Sequence, residues 1–333
     1  MDSLTQIALG AAVGETVAGR QLGRRALLWG AICGTLPDLD VFVPLGDAVR
    51  NFTYHRSASH SLFVLAALTP LLVWLICKLH AGTAPQRWRL AALVYAVFAT
   101  HVLLDAFTVY GTQILWPIVT TPVAWSTIFI IDPLYTLPLL IGVIAALVAS
   151  RDRRWGRKAN AAGLVLSTCY LAWTVGAQWH VEQIARRALD AQGLGGARVL
   201  STPAPFNSVL WRVLAVDGEH YYEGFYSLLD GNAPLRLTRW PRRLDLIAPL
   251  ANHWPVQRLQ WFTWDFHAAS LRERDVLITD LRMGMEPDYV FSFKVGALGN
   301  PHTLAVPVER VPAVRDWSRL RWVWERIFDP DAR

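Results

Sequence analysis

The sequence predicts a mostly α protein: a polytopic transmembrane helix bundle over residues 1–180, followed by a soluble, extracytoplasmic α+β domain over residues 190–333. Three observations lead there. The 333-residue chain is 53% hydrophobic and 17% charged, against roughly 45–50% and about 25% in ordinary soluble proteins. The apolar excess lies before about residue 180, whereas the rest mixes Arg, Asp, Glu, Trp and Pro as a water-exposed domain does. The basic residues of the first half sit in short connections between apolar runs, the pattern that sets membrane orientation.

Taken in order, Leu4–Ala18 is apolar, short and rich in Gly and Ala, and Ala26–Leu45 is interrupted by Pro37, Asp38 and Asp40. Both are expected to be re-entrant or packed inside the bundle, because irregular backbone at membrane depth must be satisfied by protein or by a water-filled cavity. Ser61–Cys77, Leu90–Val109, Pro133–Ala149 and Ala159–Trp179 approach the ~20 residues a bilayer core requires. Arg20, Arg24 and Arg25, then Lys78, Arg87 and Arg89, then Arg151, Arg153, Arg154, Arg157 and Lys158 mark cytoplasmic turns, while Gly111–Asp132 has no Lys or Arg. Ile114–Ile131, with Pro117 and Pro122, reads as a re-entrant or interfacial segment; were it to cross, the side of everything after it would invert. Met1-Asp2-Ser3 lacks the basic start of a cleavable signal peptide.

From about Gly193 short alternating runs replace the long apolar ones. Val209–Val216, His220–Ser227 and Tyr289–Val295 read as strands, Asp217-Gly218 as a hairpin turn, and Leu271–Asp275 and Trp317–Phe328 as helical. Half of the sixteen tryptophans lie in this region, where core packing and interfacial anchoring explain them better than a substrate gate. Cys33, Cys77 and Cys169 fall in apolar segments and are expected to act as small buried hydrophobes. The net charge of +6 follows from loop and membrane-proximal arginines, so no nucleic-acid partner is inferred. The partner implied by composition is the lipid bilayer.

Chemistry is carried by polar residues in apolar surroundings, where they are costly and therefore functional candidates. Pro-Asp-Leu-Asp gives Asp38 and Asp40, the block from His55 to Ser61 gives His55 and His60, and His101 and Asp105 stand inside a membrane helix. Positions i and i+4 share a helix face, so His101 and Asp105 can address one ion. Asp38 and Asp40 face the same way only if the backbone turns, which Pro37 favours; the second carboxylate could bridge metals or orient a ligand imidazole. Singly, each motif also has a plain structural reading, as a hydrogen-bonded core histidine, a chance spacing or a helix end. Together they deliver ligand-type side chains from three separated elements to one expected depth, which argues for a metal centre. Thr108, Tyr110, Gln113 and Asp132 could line the same cavity, and Asp132 could equally cap the next helix.

At these residues the chain resembles the YdjM-like family of membrane-bound, predicted metal-dependent hydrolases. The resemblance rests on Met-Asp-Ser-Leu-Thr-Gln at the start, Gly-Thr-Leu-Pro-Asp-Leu-Asp, His-Arg-Ser-Ala-Ser-His-Ser, and His-Val-Leu-Leu-Asp-Ala-Phe-Thr-Val-Tyr-Gly followed by Leu-Trp-Pro. It implies that Asp38, Asp40, His55, His60, His101 and Asp105 form the metal centre. Some members carry a His where this chain has Gln6, a poorer ligand, so that position is weaker here or Asp2 contributes instead. The ligand style is also similar, more distantly, to zinc-dependent phospholipase C and its nuclease relatives, which implies a phosphoester substrate. The sequence therefore predicts a hydrolase of the inner membrane, with a divalent metal such as Zn²⁺ activating water against an ester or phosphoester, a lipid head group being one candidate. Asp38 and Asp40 hold the metal or act as base, and Arg56 either neutralises developing phosphoryl charge or is a surface residue. The alternative is a non-catalytic metal-binding or transporter-like scaffold that displays the outer domain. Transport would need polar residues through the full membrane depth, and the inner halves of Ser61–Cys77 and Pro133–Ala149 have none.

Overall fold

Nine α-helices and ten strands are formed by the residues described in the computed structural model, which are 1–80, 82–149, 154–313 and 318–332. The chain divides into two units: Met1–Val43 with Arg56–Val175, and Pro44–His55 with Gly176–Arg333.

The first unit is helical. Helix α1 (Ser3–Leu22) starts where the Asp2 side chain accepts a hydrogen bond from Thr5 N and ends at Gly23, whose φ of 58° turns the chain into α2 (Arg24–Thr35). These two helices pack backbone to backbone. A Cβ on Gly10 would lie 2.3 Å from the Gly30 carbonyl oxygen, and one on Gly34 would lie 2.5 Å from that of Gln6. Small residues are what allow such an approach between membrane helices. Thirteen of the twenty α1 residues are buried, so the Gly- and Ala-rich start is an internal element of this unit.

After α3 (Ala48–Tyr54), which belongs to the second unit, come α4 (Leu62–Leu79) and α5 (Arg87–Ala106). Among the described residues, these two are the helices long and apolar enough to cross a membrane, and α6 (Pro133–Val148) is a shorter apolar helix. Helix α4 turns Leu71 and Trp74 outward, more than half exposed, a surface that suits lipid and not water. The expected spans at Ser61–Cys77, Leu90–Val109 and Pro133–Ala149 fall on α4, α5 and α6. Ala159–Trp179 lies inside a longer helix, α7 (Arg154–Asp190), because no Pro or Gly interrupts the helix-forming run between Trp179 and Asp190.

Residues 107–132 form no helix. Their backbone is instead satisfied within the unit: Thr112 and Val123 pair, Gln113 N donates to Arg56 O, Leu62 N to Ile114 O, and Trp125 N to Ala106 O. Irregular backbone is thus paid for by protein partners. Of the cysteines, Cys33 is buried and Cys77 half-buried, but Cys169 is exposed. It stands on an apolar outer face of α7 with Leu166 and Trp173, both exposed, so the expectation of burial fails there because the described residues leave that face uncovered.

The second unit is α+β. An antiparallel sheet in the order β1 (Arg198–Pro203), β2 (Leu210–Asp217), β3 (His220–Ser227), β4 (Thr238–Pro241) packs Trp211 and Val213 against Val181 and Ala185 of α7. Leu210 and Ala204 pack against Val323 and Ile327 of α9 (Ser318–Phe328). Asp217 pairs with His220 across a two-residue loop in which Gly218 has a φ of 52°, as hairpin geometry requires. Helix α8 (Trp254–Phe262) precedes a second antiparallel sheet, in which β5 (His267–Arg272), β6 (Asp275–Asp280), β9 (Ser292–Ala297) and β10 (Leu304–Val311) run in the order β10-β9-β6-β5. A small ribbon of β7 (Gly284–Met285) and β8 (Asp288–Tyr289) completes the set.

Two expectations are corrected here. Leu271–Asp275 is not helical but the tip of the β5–β6 hairpin, with Arg272 opposite Asp275 and Glu273 at a φ of 56°. Five residues, four of them charged, are too few to nucleate a helix, and the apolar runs on either side pair instead. Tyr289–Val295 is not one strand, since Tyr289 belongs to β8 and the chain resumes as β9 at Ser292. Of the expected helix Trp317–Phe328, Ser318 onward is helical and Trp317 lies outside the described residues.

Candidate metal centre

The sequence places its ligand-type residues on elements whose geometry decides where they point. His101 and Asp105 lie one turn apart on α5, with His101 Nε2 3.4 Å from Asp105 Oδ2. Pro37 starts a 3-10 turn, Pro37–Phe42, at the end of α2. With three residues per turn, Asp38 and Asp40 diverge by about two thirds of a revolution. Asp38 faces the imidazoles and Asp40 faces the following block. A second short 3-10 turn, Ala58–His60, carries His60 to a fully buried position just before α4.

Asp38, His60, His101 and Asp105 thereby bring one potential ligand atom each to within 4.8 Å of one another. His60 Nε2 lies 3.3 Å from His101 Nε2, 3.1 Å from Asp105 Oδ2 and 3.3 Å from Asp38 Oδ1, and His101 Nε2 lies 3.7 Å from Asp38 Oδ1. Ligands held tetrahedrally at the ~2.0–2.1 Å usual for zinc with imidazole and carboxylate would be about 3.4 Å apart. Five of the six separations, from 3.1 to 3.7 Å, lie near that edge length. Asp38 Oδ1 also has no hydrogen-bond partner although it is buried; its approach to His60 lacks hydrogen-bond geometry. Acceptor atoms crowded around a shared point fit a cation better than one another.

The surroundings orient these atoms. His101 Nδ1 donates to Gly34 O at 2.8 Å, which leaves the Nε2 lone pair facing the centre. The close α1–α2 packing sets that carbonyl. Asp105 divides its oxygens: Oδ1 accepts from the Met1 amine, from Gln6 Nε2 at 3.0 Å and lies 3.3 Å from Arg56 Nη2, while Oδ2 faces the two imidazoles. Arg56, at a φ of 62°, also donates to Thr108 Oγ1 at 3.2 Å and lies over the Tyr110 ring. Asp40 Oδ2 accepts from Ser59 Oγ at 2.6 Å and from Arg56 N at 3.1 Å, and Ser59 Oγ lies 2.9 Å from His60 Nδ1. Asp40 therefore reaches His60 through a hydroxyl, from the side opposite the centre. His60, His101 and Asp105 are at most 1% exposed, whereas the Asp38 side chain is 23% exposed, so the centre is approached past Asp38.

The other sequence candidates are placed as follows. His55 caps the C-terminal end of α3 in the second unit. Gln6 is fully buried and donates to Asp105, and Asp2 caps α1. Asp132 caps α6, accepting from Leu134 N and Tyr135 N, and also accepts from Tyr170. Sequence reasoning missed Ser59, the Gly34 carbonyl and the Met1 amine. The last two are main-chain groups, which leave no residue-type signal, and Ser59 stood in the block only as a spacer between histidines.

The sequence model of the YdjM inner membrane protein family matches residues 1–181, more than half of the chain and all of the four-residue group. No curated protein and no solved structure matches. The chain belongs to the YdjM inner membrane protein family.

Proposed function

We propose that this YdjM-family protein is a membrane-embedded, metal-dependent hydrolase acting on an ester or phosphoester, with a lipid head group as the favoured substrate class. The observation that carries it is the convergence of four ligand-type atoms from three separate elements to within 4.8 Å. Asp38, His60, His101 and Asp105 would hold the ion. When bound, a divalent metal such as Zn²⁺ supplies Lewis acidity and brings the pKa of water toward ~7.

The chain's own groups do the rest. Gly34 fixes the His101 tautomer, and Ser59 with Asp40 does the same for His60, with Asp40 able to take a proton passed along that chain. Arg56 neutralises Asp105 and presents guanidinium charge beside the centre, where a phosphoryl group would develop negative charge. Substrate would enter past the partly exposed Asp38. In this reading the unit is a multi-pass bundle with the centre toward the extracytoplasmic face and the second unit on that side, as the distribution of Lys and Arg supports.

Four protein ligands would also fill a tetrahedral shell, the usual form of structural zinc sites. That observation makes a non-catalytic metal-binding protein the second reading. Metal analysis of the purified protein and of His101→Ala, paired with a screen of phospholipid and phosphodiester substrates, separates them. Stoichiometric metal with turnover, both lost in the variant, supports the hydrolase. Metal without turnover favours the second reading, and metal retained in the variant removes both.

A further inference from the structure

Helix α1 has charge at both ends. From Gln6, at the His–Asp group, to Arg20 is about 20 Å along the axis, and there a cavity of about 370 Å³ opens among Arg20, Arg24, Arg25, Arg157, Glu15 and Gly23. Arg20 closes α1, Arg24 and Arg25 open α2, and Arg157 lies in the first turn of α7. Glu15 is 8% exposed, its carboxylate lies against Gly19, and Arg157 attracts it. Among the described residues Arg20, Arg24 and Arg25 take part in no ion pair, so of the four lining arginines it is Arg157 that Glu15 faces. The first turn of α2 also starts without a side-chain cap.

Guanidinium groups and free helix N–H groups are both donors suited to phosphate oxygens. The remaining wall is apolar, with Leu22, Leu27, Ala146 and Ala149, and beside it α6 ends in the outward-facing Leu147 and Val148. A charged mouth at the end of apolar helices is where head-group phosphates lie. Loop arginines on their own satisfy the orientation rule, but that rule does not gather them from three helices around one cavity and a buried carboxylate.

We propose that this cavity binds the phosphate of an anionic phospholipid head group. The test is native mass spectrometry of the full chain in detergent exposed to phosphatidylglycerol, phosphatidylcholine or inorganic phosphate. The wild type retains phosphatidylglycerol over phosphatidylcholine, and the triple variant Arg20→Gln, Arg24→Gln, Arg25→Gln loses about tenfold or more in that retention. The variant Lys78→Gln, Arg87→Gln, Arg89→Gln removes the same charge elsewhere and leaves it unchanged. The pair Arg24→Lys, Arg25→Lys keeps binding within a few-fold and reports on the site even where the triple glutamine variant fails to fold. Equal loss in both triple variants, equal retention of the two lipids, or inorganic phosphate that phosphatidylglycerol cannot displace would each overturn the proposal.

Discussion

The two units bury charge in opposite ways. Among the described residues of the second unit, the buried carboxylates of Asp280, Glu223 and Asp230 each meet a guanidinium. Asp280 takes Arg282 Nε and Nη2 at 2.9 and 2.7 Å, Glu223 takes Arg212 Nε at 2.6 Å, and Asp230 takes Arg326 Nη1 and Nη2 at 2.9 and 2.7 Å. In the first unit, two imidazole nitrogens and two carboxylate oxygens face one another, and the cations present, Arg56 and the Met1 amine, are all on the far oxygen of Asp105. Balanced pairs need nothing further. A surplus of acceptors around one point calls for a positive ligand, and that asymmetry separates a structural ion pair from a binding site more sharply than burial does.

The comparison can be broken most forcefully at Asp280. Its replacement by Ala removes the carboxylate that Arg282, fully buried, meets through Nε and Nη2, and the second unit should lose ~3–5 kcal/mol, read from the thermal unfolding midpoint. That loss should be the same with or without metal. A chelator should act in the other unit: with metal at 100 to 1,000 times its dissociation constant, stripping it costs wild type about 3–4 kcal/mol. His101→Ala should show no chelator response, and an equal response in both proteins would sink the metal assignment.

One defect in the balanced unit gives a pH-dependent test. His267 is fully buried, its Nε2 has no hydrogen-bond partner, and burial, with the nearby Arg242 guanidinium, holds its pKa down to about 4 from 6.5. The folded protein binds this proton more weakly than the unfolded chain. Stability is therefore complete above pH 6.5 and declines as pH falls toward 4, by on the order of 3 kcal/mol. His267→Gln should flatten that part of the pH–stability curve, and an unchanged slope would show that other groups carry it. The smallest effect is expected at Ser59, which touches His60 from the side away from the centre. Ser59→Ala should weaken metal affinity about 10–100-fold in a competition titration while leaving one ion per chain.

Much of the centre was legible because polar side chains in apolar sequence are conspicuous. His101 and Asp105 announce themselves by helix spacing, and Asp38 and His60 by the Pro-Asp and His-Arg blocks. Of the six read from sequence four form the group: the 3-10 turn sends Asp40 away from Asp38 and toward Ser59, and His55 ends α3, which belongs to the second unit. Helix and strand positions in the second unit followed period and turn chemistry, and failed at Leu271–Asp275, where pairing of the flanking strands overrode a short helix-favouring run, and at Tyr289–Val295, which is divided between β8 and β9.

Sequence alone determined the division into an apolar helical half and a mixed α+β half, the membrane family, and the residue types available to hold an ion. Those properties are local, set by composition, spacing and the cost of charge in apolar surroundings. Tertiary structure decided which of the candidates meet, which oxygen of Asp105 is left for a ligand, and that main-chain groups of Gly34 and Met1 take part. Such choices depend on distances between residues up to about a hundred positions apart in the chain, fixed by how closely α1, α2 and α5 pack, and no one-dimensional pattern encodes them.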